Sequence, residues 1–167
     1  IKLDENRERD VEQIAIGTYS PIEGFMGKDD FQSVLDRMKL ANGTIWSLPI
    51  FLDISHKEAE GLREGQDVAL VDSNNKTLAI LHLEEKYEIN KQEMAQKMYA
   101  TEDPAHPGVK RVSQMQPILL GGKITLLKRR EGPHKEYELT PRQTRKLFEA
   151  RGWSKVVGFH TRNVVHK

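Results

Sequence analysis

Between Leu48 and Lys128 the apolar residues fall in short runs that suit β-strands, and few stretches of the chain keep a helical period. Leu48, Ile50, Leu52 and Ile54 alternate with Ser47, Pro49, Phe51 and Asp53, which predicts a strand buried mainly on one face. Pro49 has no amide to donate, so an edge position or a bulge is expected there. Asp67–Val71 and Thr77–Glu84 predict two more strands, joined through Ser73-Asn74-Asn75-Lys76, where asparagine tolerates the positive φ of a tight turn. Ile118–Leu120 and Lys123–Lys128 flank Gly121-Gly122, a hairpin signal. Helices are predicted over Asp29–Lys39, with Phe31, Val34, Leu35 and Met38 on one face, and over Lys91–Tyr99, with Met94, Ala95 and Met98 inward. Residues 20–130 therefore read as a compact β-rich, barrel-like domain with helices on its outside.

The character changes after Tyr137. Thr140 suits an N-cap, Pro141 the first helical position and Gln143 the closing residue of a capping box, while Gly152 suits the helix end. Lys155-Val156-Val157-Gly158-Phe159 then predicts a short buried strand, and helix followed by apolar strand is how an α/β sheet opens. At 167 residues the chain has room for one full domain and only part of a second.

The charge is also unevenly distributed, and it divides at Pro104. Up to Pro104 the chain carries 12 Lys and Arg against 21 Asp and Glu, whereas beyond it there are 14 against 4. The basic end is where an anionic ligand is expected. Apolar runs such as Ile118-Leu119-Leu120 fall far short of the ~20 residues a membrane helix needs. No leader-like opening and no cysteine are present, so a cytoplasmic setting is the default expectation. His56, His82, His106 and His134 lack the spacing of metal ligands, and no metal site is expected among them. His106, in a His-Pro-Gly turn, is expected to make a turn-stabilising hydrogen bond or to order its loop.

The polar string from Gly158 to Lys167 follows the last apolar strand, the place where open α/β sheets set their ligands. Arg162 offers a planar fork of donors that matches sulfate or phosphate, and His160, Thr161 and Asn163 add shorter hydrogen-bonding groups. His166 and Lys167 extend the reach toward a phosphate chain.

Several segments, in order, resemble the ATP sulfurylase (sulfate adenylyltransferase) family. Ser20-Pro21-Ile22-Glu23-Gly24-Phe25-Met26-Gly27 is similar to its SPLxGFM segment, and the run from Leu40 to Ile50 to its LANGxxWPIPI segment. Residues 100–109, with Thr101, Asp103, His106, Pro107 and Gly108, are similar to TxDxxHPGV. Leu120-Gly121-Gly122 and Arg151-Gly152-Trp153 fall in the expected order.

The resemblance implies an N-terminal PUA-like domain over residues 1–135 and, over 136–167, the first helix and strand of a Rossmann-like nucleotidyltransferase domain, an α+β chain as a whole. It implies a reaction between ATP and sulfate, with Mg2+ accompanying the ATP, and a homo-oligomeric full-length enzyme. Carried over position by position, Thr161, Arg162 and Asn163 are the catalytic run, His160 and Arg162 the sulfate-binding residues, and His160, Asn163 and His166 the ATP-binding ones. Two residues depart from the pattern: His160 stands where glutamine is usual, a ring that can gain a proton where an amide cannot, and Val164 stands where proline is usual. The later GRDHxG-type nucleotide segment and the family's opening region are absent, so an incomplete and inactive portion is expected. An RNA-binding module of PUA type, or a non-catalytic scaffold, is the alternative. The acidic region through Tyr99 and the lack of a ribonucleoprotein signature weigh against RNA.

Overall fold

The computed structural model describes residues 1–130, 132 and 134–163. It divides into two compact units, Ile1–Gly132 and Pro133–Lys167.

The first unit is organised around one strand, β5 (Ile118–Leu126). One edge of β5 pairs antiparallel with β4 (Thr77–Glu88), whose far edge pairs with β3 (Asp67–Val71). The other edge is shared: β1 (Gly24–Phe25) pairs at Lys123 and Gly122, and β2 (Leu52–Ile54) at Leu120, Leu119 and Ile118. The expected hairpin at Gly121-Gly122 is not formed, because the strand runs straight through the glycines. They serve close approach instead of a turn. A Cβ on Gly122 would lie 2.1 Å from the His82 carbonyl oxygen, and one on Gly121 would lie 2.7 Å from Gly27 Cα.

A register shift between Leu83 and Glu85 decides which faces are buried. Before it, Ala79, Leu81 and Leu83 pack with Leu3, Val11, Ile14, Phe25 and Leu120 in one core. The extra residue at Glu84 reverses the alternation, so that Tyr87, opposite Leu119, enters a second core with Phe31, Val34, Met94 and Val112. Along β5 itself Ile118 and Leu120 serve the first core and Leu119 the second, the two-residue period of a strand covered on both sides.

Helices cover the two faces. α1 (Glu5–Ala15), which has no counterpart in the sequence reading, is capped by Asp4 and buries Val11 and Ile14 in the first core. α2 (Lys28–Arg37) stops one residue short of the last position of its apolar pattern: Met38 adopts a left-handed conformation, φ 52°, and is 64% exposed. α3 (His56–Glu60) opens with a capping box between Ser55 and Glu58. α4 (Lys91–Tyr99) has the expected limits and buries Met94 and Ala95, and α5 (Pro107–Gln114) follows it into the second core with Val109 and Val112. The strand expected from Leu48 begins only at Leu52. Leu48 is exposed, and its carbonyl is held by the Trp46 indole at 2.6 Å in an irregular loop. A pairing loop at Ser73–Lys76 joins β3 to β4 as expected, with Asn75 at φ 62°.

The second unit begins with a short 3-10 turn, Lys135–Tyr137, and α6 (Pro141–Ala150). Thr140 accepts from the Gln143 amide at 3.2 Å while the Gln143 side chain accepts from the Thr140 amide at 2.8 Å, the reciprocal cap read from the sequence. The strand expected over Lys155–Phe159 is not formed: the segment has no regular structure and pairs with no strand among the described residues. A strand needs a neighbour's backbone groups, and here Val157 and Phe159 remain 92% and 85% exposed.

Candidate anion-binding loop

α6 positions the loop that follows it through the way it ends. Trp153 N donates to Phe148 O at 3.0 Å and Gly152 N to Glu149 O at 3.0 Å, the paired bonds of a Schellman motif with Gly152 at φ 65°. Across that turn the Phe148 and Trp153 rings lie 6.1 Å apart, and the Arg151 guanidinium sits 5.2 Å from the Trp153 centroid. Arg151-Gly152-Trp153, singled out in the sequence, is therefore a helix stop with its own small apolar latch.

Beyond residue 160, Thr161 Oγ1 accepts from the Asn163 amide at 3.0 Å and folds residues 161–163 into a tight turn. His160, Thr161, Arg162 and Asn163 are all exposed. The structure brings Thr161 and Asn163 together by this bond. It gives His160 and Arg162 no hydrogen bond or ion pair among the described residues. His166 lies outside the described residues, as do Val164 and Lys167. What the loop offers is an open guanidinium fork beside an imidazole and a hydroxyl, all reachable by an anion from solvent.

The other histidines serve local ends in the first unit. His106 caps α5, its Nδ1 accepting from Gly108 N at 3.2 Å, and its ring packs on Tyr99 with centroids 5.0 Å apart. His56 Nδ1 faces Glu88 at 4.0 Å, and His82 bonds to Asp67 and Thr125. Among the described residues no three His, Asp or Glu side chains converge as a metal cage, and no helix is long and apolar enough to cross a membrane. The His82 row was missed in the sequence because its members sit on three strands. Only their pairing register, absent from any local spacing, brings them together.

The PUA-like domain family matches residues 1–129, and the ATP-sulfurylase family matches residues 135–167. The chain is 46% identical over 168 residues to a sulfate adenylyltransferase of Synechococcus sp. (strain JA-3-3Ab), covering all of this chain and 43% of that protein. Against the sulfate adenylyltransferase of Hyperthermus butylicus it is 46% identical, with 99% of this chain and 42% of the relative covered. The chain thus spans less than half the length of the curated relatives it matches. Among solved structures, a hexameric APS kinase from Thiobacillus denitrificans superimposes with a TM-score of 0.67 at 25% identity, over 92% of this chain and 26% of that one.

Proposed function

The chain belongs to the PUA-like domain family through residues 1–129 and continues into an ATP-sulfurylase segment at residue 135, and from that premise we propose that it is a portion of a sulfate adenylyltransferase. The observation that carries the reading is the likeness over the whole chain, across both units and in one order, to enzymes of that name. In the proposed reaction a sulfate oxygen attacks the α-phosphorus of ATP, the bond to the bridging oxygen of pyrophosphate breaks, and adenosine 5'-phosphosulfate forms.

Sulfate is a weak nucleophile and both reactants are anions, so the protein's work is charge neutralisation and alignment. Arg162 holds sulfate through its paired donors, and the His160 ring adds a single donor beside it. Thr161 and Asn163 shape the turn that presents them, as their mutual hydrogen bond supports. His160, Asn163 and His166 are the residues assigned to the ATP phosphates. Mg2+ would enter on the phosphates of ATP. No covalent intermediate is required.

The first unit acts as scaffold in this reading. The segments that carry its likeness are consumed by packing: Gly24 and Gly27 meet β5, Asp30 accepts from the Ala41 amide at 2.7 Å, and His106 caps α5. The chain alone is expected to turn over poorly. Sulfate should nevertheless shield Arg162 from an arginine-directed reagent such as phenylglyoxal, read by peptide mapping. Unchanged labelling of Arg162 at saturating sulfate would remove this assignment, and rapid ATP-dependent pyrophosphate release by the chain would overturn the expectation of inactivity. RNA affinity that falls steeply with salt would favour the nucleic-acid alternative instead.

A further inference from the structure

The first unit carries a polar row that the sulfate reaction does not use. Asp67 on β3, His82 on β4 and Thr125 on β5 stand side by side across three strands: Asp67 Oδ1 lies 2.6 Å from His82 Nδ1, and Thr125 Oγ1 lies 2.8 Å from His82 Nε2. Asp67 and His82 are directly opposite in the β3–β4 register, and Thr125 is the diagonal neighbour of His82, two residues from its partner Lys123. An ionised carboxylate can only accept, so the neutral ring carries its proton on Nδ1 and turns the lone pair of Nε2 toward the threonine hydroxyl. That is the order of groups in an activated nucleophile: hydroxyl, base, and a third residue that orients the base.

The row does not lie on a featureless sheet face. His82 and Thr125 line a hollow of about 640 Å³, where β5 runs past the end of β1 beneath the turn from Ala15 to Glu23. This volume is in the range of small-molecule sites. Its lining mixes Ile14, Ala15, Ile22 and Ile124 with Ser20 and Glu23. Lys123, on the same face of β5 as Thr125, brings an ammonium group to its mouth, held by Glu23 at 2.8 Å.

We propose that this hollow is an acyl-transfer site, in which Thr125 is the nucleophile, His82 the general base and Asp67 a positioning residue, and that it takes activated esters of short, neutral acyl groups. Thr125 Oγ1 bonds to the ester carbonyl carbon while its proton passes to His82 Nε2. The bond from carbon to the leaving oxygen then breaks, and the leaving oxygen takes that proton. Water, deprotonated by the same Nε2, attacks the acyl-threonine and releases the carboxylic acid with Thr125 restored. The volume suits acetyl or butyryl groups, and because Glu23 and Lys123 at the mouth already neutralise one another, a neutral acyl group leaves no charge unpaired. This activity is independent of the sulfate reaction and of Arg162.

The test is p-nitrophenyl acetate with the intact chain, followed by p-nitrophenolate release and by peptide mapping of the acetylated protein. Expected are saturable turnover and an acetyl group on Thr125. Thr125→Val and His82→Asn should each lower the rate about 100-fold, the ordinary weight of a general base. Asp67→Glu should retain more activity than Asp67→Ala at equal urea midpoints, which a merely structural aspartate would not do. Acetylation confined to lysines, or a Thr125→Val rate equal to that of the parent chain, would overturn the proposal. Because the mapping is done on the unsubstituted protein, the site is decided even if a variant fails to fold.

Discussion

Gly24 lies so close to Gly122 that a Cβ added to it would sit 1.9 Å from the Gly122 carbonyl oxygen and 2.6 Å from Lys123 Cα. Both obstacles are backbone of the central strand, which cannot swing aside as a side chain could. Gly24→Ala should therefore part β1 from β5 and lower stability by about 3 kcal/mol or more. Gly61, at φ −86° with open space around its Cα, is the control: Gly61→Ala should fall within about 0.5 kcal/mol of the parent. Urea denaturation of the two variants checks the pair. Equal midpoints would show that the sheet edge tolerates a methyl group the geometry has no room for.

Tyr87 donates its buried hydroxyl to the Met26 carbonyl at 2.8 Å, tying the second core to the loop after β1. Tyr87→Phe keeps the ring packing against Phe31 but leaves that carbonyl unpaired, at a cost of about 1–3 kcal/mol. Burial pushes the Tyr87 phenol far above its ordinary 10.0, with the charges of Glu85 and Asp30 adding to the shift. The folded state thus holds the proton after the unfolded state has released it. Stability from this group is fully present below pH 10.0 and is lost as the pH rises above that value. The Tyr87→Phe variant should lack this part of the alkaline loss, measured as urea midpoints from pH 9 upward; parallel curves for the two proteins would contradict it.

Local signals were legible wherever structure is made locally. Thr140, Pro141 and Gln143 announced α6, and the apolar spacing of Met94 and Ala95 announced α4, because caps and helix faces involve residues within a turn or two. Gly121-Gly122 misled, since a glycine pair looks the same whether it bends a strand or lets three strands crowd together. α1 was hidden because only Val11 and Ile14 of its charged surface reach the core. In the candidate loop the residues were named from the sequence, whereas their exposure, the Thr161 to Asn163 bond and the failure of Lys155–Phe159 to pair were not. A strand is defined by its neighbours, and no strand beside that segment is among the described residues.

His106 holds the start of α5 through Nδ1, so its role is that of an N-cap acceptor. His106→Ala should cost about 1 kcal/mol, and His106→Asn, whose side-chain oxygen can reach the same amide, should restore most of it. Gly108 makes this turn strict, because a Cβ there would lie 2.5 Å from the Tyr99 ring. Hydrogen exchange at the Gly108 amide is the local readout. If alanine and asparagine protect that amide equally, the cap is not what orders the turn.

Arg162 is exposed, and its guanidinium is a planar fork of donors. Bidentate pairing with sulfate uses that planar fork, which lysine does not have although it keeps the charge. If sulfate is held as proposed, Arg162→Lys should weaken its binding about 10-fold, close to 1.4 kcal/mol, and Arg162→Gln should weaken it further. The Asn163 amide, fixed on Thr161 Oγ1, is a built-in reporter whose NMR shift should move as sulfate is added. Binding at so exposed a loop must also fall with ionic strength, so the titrations are compared at one salt concentration. Lysine and glutamine variants that both bind sulfate as tightly as the parent would mean that neither the fork nor the charge of Arg162 holds the anion, and the assignment would pass to another cation of the basic C-terminal unit.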